Sequence, residues 1–419
     1  MAADSHPPGQ CEVVSWRHAL SRQLAAIPPS RRRALRPLQP GECAASLQRA
    51  EPAGSPVPAS CTDRPRTLLD LASNDYLGLS RHPAVVAAAQ AAAAHEGVGA
   101  GASRLVSGSR PVHAQLEQAL ANWITRERIL LFPSGFQANL AAVSALADRH
   151  SLVLADRLIH HSLLVGVRAS GARLQRFAHN NLADLEARLL EARRSAPRQR
   201  LLVLSESLFS MEGTSPPVPA LAELCARHGA ALLLDEAHAL GVLGPGGRGL
   251  GHGVGEIALV CGTFGKAFGS GGAFLAGDAL VMEWVLQSSG AFRYTTALAP
   301  PLAAAALASL QQLQALAEAG QSPSTALLAR AERWRNALAA AGWPRPAGVG
   351  PVLPLLVGDD QRSLDLQQQL EAAGLLAVAI RPPTVPPGTA RLRLVLRHDL
   401  PAGTLERLLQ ALGPAPAAR

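Results

Sequence analysis

The sequence predicts an α/β protein with a largely parallel central sheet, and three observations carry that expectation. Short apolar runs, Ile129–Phe132, Leu152–Ala155, Leu201–Leu204, Ala230–Leu234, Ala258–Cys261 and Gly272–Leu275, alternate with longer helical patterns. The runs are too uniformly apolar for a sheet with one wet face, so helices are expected on both faces. Polar residues gather beyond them: Ser134 and Gly135, Asp156, Glu206, Asp235, then Thr263 and Lys266. Ligands of open parallel sheets bind beyond the strand C-termini, which makes this edge the expected site.

In chain order, Val13–Leu38 reads as a short helical arm ending in the basic cluster Arg31, Arg32, Arg33 and Arg36, which folds over another part of the molecule. Residues 39–65 carry Pro40, Gly41, Pro52, Gly54, Pro56, Pro58 and Pro65 with little apolar periodicity, so an irregular insertion is expected. After Pro301 the pattern changes to Ala/Leu-rich helices and the strand-like runs Val352–Val357, Leu376–Ile380 and Arg391–Leu396. The expected organisation is an arm and insertion over 1–66, a large α/β domain over 67–300 and a smaller α+β domain over 301–419.

Composition narrows the function classes. With 419 residues, 48% of them apolar, the chain has ample material for a buried core. The alanine-rich runs from Ala84 and from Pro300 are interrupted by Gln or Glu and read as helices, not membrane spans. Met1–Gln10 holds Asp4, His6 and prolines where an export signal needs basic and then apolar residues, which favours the cytoplasm. Cys11, Cys43, Cys61, Cys225 and Cys261 have no CxxC spacing, against a disulfide framework or a zinc site. A net charge of +8 suits nucleic acid, an acidic carrier protein or a phosphorylated substrate. Aromatics are only 4% and no nucleic-acid motif accompanies the arginines, so a solvated basic surface is the better reading.

Among 39 basic side chains Lys266 is the single lysine. Arginine cannot act as the amine nucleophile of Schiff-base chemistry, so Lys266 marks either an indispensable amine or a survivor of compositional drift. Asp235 ends an apolar strand, with His238 three residues on. A carboxylate there can hold a heteroaromatic nitrogen protonated, as in pyridoxal phosphate enzymes, or simply cap a helix. Ser134, Gly135 and Phe136 form a strand-to-helix turn whose free amides and dipole suit a phosphate, although such turns open many helices without a ligand. Thr263 and Ser270 offer further hydroxyl donors. His160 is placed either to stack on a flat ring or to serve as an ordinary loop histidine.

Taken together, the motifs resemble the α-oxoamine synthases, a family with the aspartate-aminotransferase fold, fold type I, of pyridoxal-phosphate-dependent enzymes. The resemblance runs through Leu69–Gly78, Gly97–Gly108, Ser134–Phe136, Ser207–Gly213, Asp235–His238, Thr263–Lys266 and Ile380–Arg393. It implies pyridoxal 5'-phosphate as cofactor, with Lys266 as the amine that binds its aldehyde and later moves the Cα proton. Asp235 is then the partner of the pyridinium nitrogen, His238 of the phenolic oxygen, and His160 stacks on the ring. Ser210 contacts the cofactor near that oxygen, while Gly135, Phe136 and Thr263 hold the phosphate. A homodimer with the site at its interface is implied, with Thr296 reaching the partner's phosphate.

Within the family, Ile380–Pro386 resembles the branch that condenses L-alanine with pimeloyl-CoA or a pimeloyl carrier protein; siblings use glycine or serine with other acyl thioesters. Arg381 is then the candidate for the amino-acid carboxylate, Thr384 lines the substrate pocket, and Arg33 either meets the distal pimeloyl carboxylate or is a solvated member of its basic run. Ala102, Ala239-Leu240 and the stretch Leu394–His398 depart from the usual pattern, which bears on acyl preference and leaves the named groups intact. A noncatalytic basic binding module is the competing class, opposed by the register of Lys266, Asp235 and His238.

Overall fold

Fourteen strands and their intervening helices make up the computed structural model, which describes residues 15–49 and 67–415. The central sheet comprises β4 (Arg128–Phe132), β5 (Leu152–Asp156), β6 (Arg173–Phe177), β7 (Leu201–Glu206), β8 (Ala231–Asp235), β9 (Leu259–Thr263) and β10 (Ala273–Gly277). Their order is β4-β10-β9-β8-β7-β5-β6, and only β10 runs against its neighbours. The largely parallel sheet expected from the apolar runs is therefore present.

Successive side chains along the buried strands enter opposite faces of the sheet, as the two-residue period of a pleated strand requires. Leu152, Leu154, Leu232 and Leu234 belong to one apolar cluster, while Val153, Ala155, Leu202 and Leu233 belong to a second on the other face. Both faces are thus covered. Helix Gly135–Leu146 packs against helix His161–Ser170 so closely that a Cβ on Gly166 would lie 2.8 Å from Val143 Cβ. The long helix Pro300–Glu318 packs on helices Pro83–Glu96 and Pro111–Ile124.

β6 escaped the sequence reading for a physical reason. It is an edge strand whose Arg173 and Arg176 are exposed, so it lacks the apolar run that marks its buried neighbours.

The described part of the segment expected to be irregular holds two strands, β1 (Leu38–Pro40) and β2 (Ser46–Arg49). They pair with each other and then with β3 (Thr67–Asp70), whose other edge takes the two-residue β12 (Leu375–Leu376). Backbone pairing with β3 supplies the order that the weak periodicity did not reveal. Most of the Pro-rich stretch, residues 50–66, lies outside the described residues, as does the N-terminus through residue 14. A third sheet joins β11 (Val352–Gly358), β13 (Val378–Ile380) and β14 (Ala390–Val395) in the order β11-β14-β13. The basic arm is anchored on this side: Arg31 pairs with Asp360 at 2.8 Å, and Arg36 and Arg49 grip Glu371 at 2.5 and 3.1 Å. Among the described residues, no helix is long and apolar enough to cross a membrane.

Candidate active site

Where the parallel strands end, a cavity of about 200 Å³ is lined by Gly135, Phe136, Asn139, His160, Glu206, Asp235, His238, Thr263 and Lys266. Strand register explains the convergence. Glu206 closes β7 directly beside Asp235 at the end of β8, and Asp235 stands beside Cys261 on β9.

Lys266 occupies the reversal between β9 and β10. Phe264 N–H donates to Gly272 O, Ser270 N–H to Phe264 O and Gly269 N–H to Lys266 O, each at 2.9 Å. Phe264 and Phe268, both fully buried, stack edge to face at 5.6 Å on either side of the lysine in sequence, and Phe268 meets Trp123 at 5.8 Å. Gly269, at φ +61°, turns the chain so tightly against Leu79–Ser80 that any Cβ would collide with the Ser80 backbone. The amine is carried by a loop with little freedom. Burial lowers its pKa from 10.5 to about 8, although Asp235 and Glu206 pull the other way.

Asp235 is held from two sides. Asn139 Nδ2 donates to its Oδ2 at 2.7 Å, and Ala237 N–H to its Oδ1 at 2.9 Å. Asn139 Nδ2 also reaches Ser162 Oγ at 3.0 Å, and that hydroxyl meets His160 Nδ1 at 2.7 Å. His160 N–H donates to Glu206 Oε1 at 2.6 Å, which fixes the backbone of the turn. Burial, with Asp235 alongside, pushes the Glu206 carboxyl well above its ordinary value. One chain of contacts therefore ties both carboxyl groups and His160 together.

His238 is buried, and its Nδ1 lies 2.5 Å from Tyr76 Oη. Tyr76 is itself fully buried, which pushes its hydroxyl up to about 12. Behind it, Asn74 Oδ1 accepts from Arg393 Nη2 at 2.9 Å and stands 3.4 Å from Tyr76 Oη. Burial, followed by the charges of Lys266 and Arg393, lowers the His238 pKa well below its ordinary value. Burial therefore favours the neutral imidazole.

Ser134 caps helix Gly135–Leu146, accepting from Gln137 N–H at 3.3 Å, while the first-turn amides of Gly135 and Phe136 have no intrahelical acceptor. They line the cavity beside Thr263. This donor set fits pyridoxal phosphate: an amine, a carboxylate on a strand end, an imidazole aimed at the same space and a helix N-terminus for the dianion.

Residues 66–412 match the family model for aminotransferases of class I and II. The chain belongs to the class I and II aminotransferase family. A member of like sequence, 8-amino-7-oxononanoate synthase of Cellvibrio japonicus, is 42% identical over 352 residues, 83% of this chain and 86% of that one. Among solved structures, serine palmitoyltransferase of S. paucimobilis, bound to PLP and myriocin, superposes with a TM-score of 0.82 at 26% identity, covering 90% of this chain and 91% of that one. 8-Amino-7-oxononanoate synthase from Francisella tularensis gives a TM-score of 0.69 at 26% identity, with coverage of 82% and 96%. Fold type I and dependence on pyridoxal phosphate come with this family.

The structure brings together Lys266, Asp235, His238, His160, Gly135, Phe136 and Thr263. Ser210, Arg33 and Thr384 line a second, larger cleft of about 930 Å³ that also touches His160. There Arg33 Nη2 donates to Thr384 Oγ1 at 2.8 Å, so two residues singled out separately meet each other. Arg381 lines neither space and donates to the Ser30 carbonyl, with Nε buried and without a partner among the described residues. Thr296 is exposed beside Tyr294, away from its own chain's cavity. The Ser270 hydroxyl is spent on Leu302 O at 2.8 Å, outside the cavity, and Thr263 Oγ1 donates to Gly272 O at 2.9 Å.

Several participants carried no assigned role in the sequence. Asn139 sits one helical turn after Gly135, the spacing that returns a side chain to the same face. Arg391 and Arg393 alternate in the apolar strand β14, which places both on one face, and both are buried. Arg391 donates to Met211 O at 2.9 Å and Arg393 to Ser210 O at 2.7 Å. That alternation was a readable signal. Nothing in the sequence joined Tyr76 to His238, since they are distant in the chain and meet only through the fold.

Proposed function

We propose that the protein condenses L-alanine with a pimeloyl thioester, releasing CO2 and the free thiol and forming 8-amino-7-oxononanoate, a precursor of biotin. The observation that carries this is the single lysine of the chain, held in a rigid loop and facing the Asp235–His238 pair, in a sequence 42% identical to a synthase of that name. The sequence relative at 42% identity favours the alanine branch, while the solved structures of the two branches, each 26% identical, do not separate them.

Pyridoxal phosphate, when bound, supplies an aldehyde for the amino acid's amine and a ring that accepts the electron pair released at Cα. Lys266, with its pKa near 8, is partly neutral at physiological pH and serves to take and return the Cα proton. Asp235, oriented by Asn139 and the Ala237 amide, would keep a proton on the ring nitrogen. Tyr76 Oη, 2.5 Å from His238 Nδ1, is placed to donate to it, which would leave the imidazole proton on Nε2 for the cofactor's phenolic oxygen. His160 would provide the stacking face, and the Gly135 and Phe136 amides, with Thr263 beside them, would receive the phosphate. Ser210, Arg33 and Thr384 belong to the approach of the acyl chain, and Arg381, next in sequence to the cleft-lining Pro382, is the candidate for the alanine carboxylate.

The same reading includes a cytoplasmic homodimer. Val98, Val106 and Tyr294 are large apolar side chains with relative exposures of 82%, 79% and 80%, and burying them against a second copy would bring Thr296 toward the partner's cofactor phosphate. Product mass spectrometry with paired amino acids and thioesters tests the proposal. Alanine with pimeloyl-CoA or pimeloyl carrier protein yields the expected mass; condensation only with glycine or serine, or with neither donor, overturns it.

A further inference from the structure

We propose that Arg157 and Arg176 form a subsite for a phosphate group on the arm that carries the acyl thioester. The inference rests on the thioester reading above and adds where the donor's charge is held.

The outer cleft of about 930 Å³ adjoins the Lys266 cavity through His160, which lines both. Arg157 is the first residue after β5, and Arg176 lies one residue before the end of the edge strand β6. One turn, Asp156 to His160, therefore carries Arg157 to the outer cleft and His160 to the inner cavity. Its backbone is held in place: Arg157 N–H donates to Phe177 O at 3.0 Å, Leu158 N–H to Asp156 Oδ1 at 2.8 Å, and Arg176 Nη1 to Arg157 O at 3.2 Å.

Both arginines are exposed, and among the described residues neither takes part in an ion pair. The neighbouring cations differ. Arg31 is neutralised by Asp360 at 2.8 Å, and Arg33 is tied to Thr384. Glu212, the acid of the cleft, is taken by Arg391 at 3.2 Å. Arg157 and Arg176 thus present positive charge that the fold leaves uncompensated at the mouth of a substrate-sized space, where a low-dielectric wall concentrates the potential. Guanidinium forks match phosphate oxygens in pairs, as a lysine or a helix end does not. Acyl thioesters are carried on pantetheine arms that end in phosphate, in coenzyme A and in carrier proteins alike, and this shared group is the ligand assigned here.

Calorimetric titration of the cofactor-loaded protein with CoA and with phosphate-free pantetheine reads the subsite without turnover. The double variant Arg157→Gln/Arg176→Gln is expected to weaken CoA by about tenfold or more, and to leave the affinity for pantetheine where it was. Unchanged CoA affinity, or equal losses for both ligands, overturns the assignment. Turnover with pimeloyl-CoA, pimeloyl carrier protein and pimeloyl pantetheine separates the two sources. The ratio of kcat/KM for a phosphorylated donor to that for pimeloyl pantetheine falls for the donor whose phosphate uses the pair, and a ratio that moves for neither donor counts against the subsite. A wild-type protein that binds CoA through the pair yet condenses no donor with alanine would refute the function proposed above and leave the subsite standing.

Discussion

The inner cavity and the outer cleft meet at His160 and are built in opposite ways. Around Lys266 the functional groups stand on the ends of β7, β8 and β9 or in the tight loop that follows, and each is fixed by a second residue: Asn139 for Asp235, Tyr76 for His238, Phe264 and Phe268 for the lysine loop. Around the outer cleft the lining comes from the basic arm, the turn after β5 and the proline loop 382–387, with exposed arginines held by single contacts. Chemistry that needs fixed geometry sits on the rigid scaffold, and selection among donors is left to segments that vary at low cost to the core.

Substitutions in the two regions should therefore differ in kind. Lys266→Ala removes both the cofactor-binding amine and the proton carrier, so turnover should fall by about 10⁴-fold or more, and the visible absorbance of the lysine-bound cofactor should vanish. A variant that kept both would break the contrast outright. Asp235→Asn should lower kcat by about 10²–10³-fold, the scale of losing one preorganised electrostatic partner, with little change in KM for the thioester. Tyr76→Phe removes a buried hydroxyl partner from His238 and should lower kcat by about tenfold, again without a shift in thioester KM. Arg33→Gln is the opposite case: KM for the pimeloyl donor should rise by about threefold to tenfold while kcat and the KM for alanine stay close to wild type. Equal effects on kcat and KM from either region would dissolve the distinction.

The pH response of the inner cavity follows from its amine. Only neutral Lys266 attacks an aldehyde, and burial places its pKa near 8 in place of 10.5. Uptake of pyridoxal phosphate by cofactor-free protein should accelerate as pH rises through about 8 and then level off, read from the growth of the bound-cofactor absorbance. A rate still climbing at pH 9.5 would place the lysine in a wetter site.

The same contrast governs what the sequence disclosed. Buried strands announced themselves as apolar runs, and the groups on their ends, Asp235, Thr263 and Lys266, could be read in register with them. His238 and Gly135 followed from short fixed spacings. Edge strand β6 stayed hidden because its exposed Arg173 and Arg176 suit water, and β1 and β2 because backbone pairing, β1 to β2 and β2 to β3, and not periodicity, orders them. Tyr76–His238 and Arg33–Thr384 are contacts between distant segments, set by topology alone. Arg381 was assigned to the amino acid and is found bonded to Ser30, a geometry no motif encodes.

Isotope-labelled alanine tests directly whether the Lys266 cavity drives a decarboxylative condensation. With carboxyl-¹³C alanine and pimeloyl-CoA, the wild-type protein should release ¹³CO2 in step with free CoA thiol, and Lys266→Arg should release neither. Thiol release without labelled CO2, or equal release by the arginine variant, would contradict that chemistry.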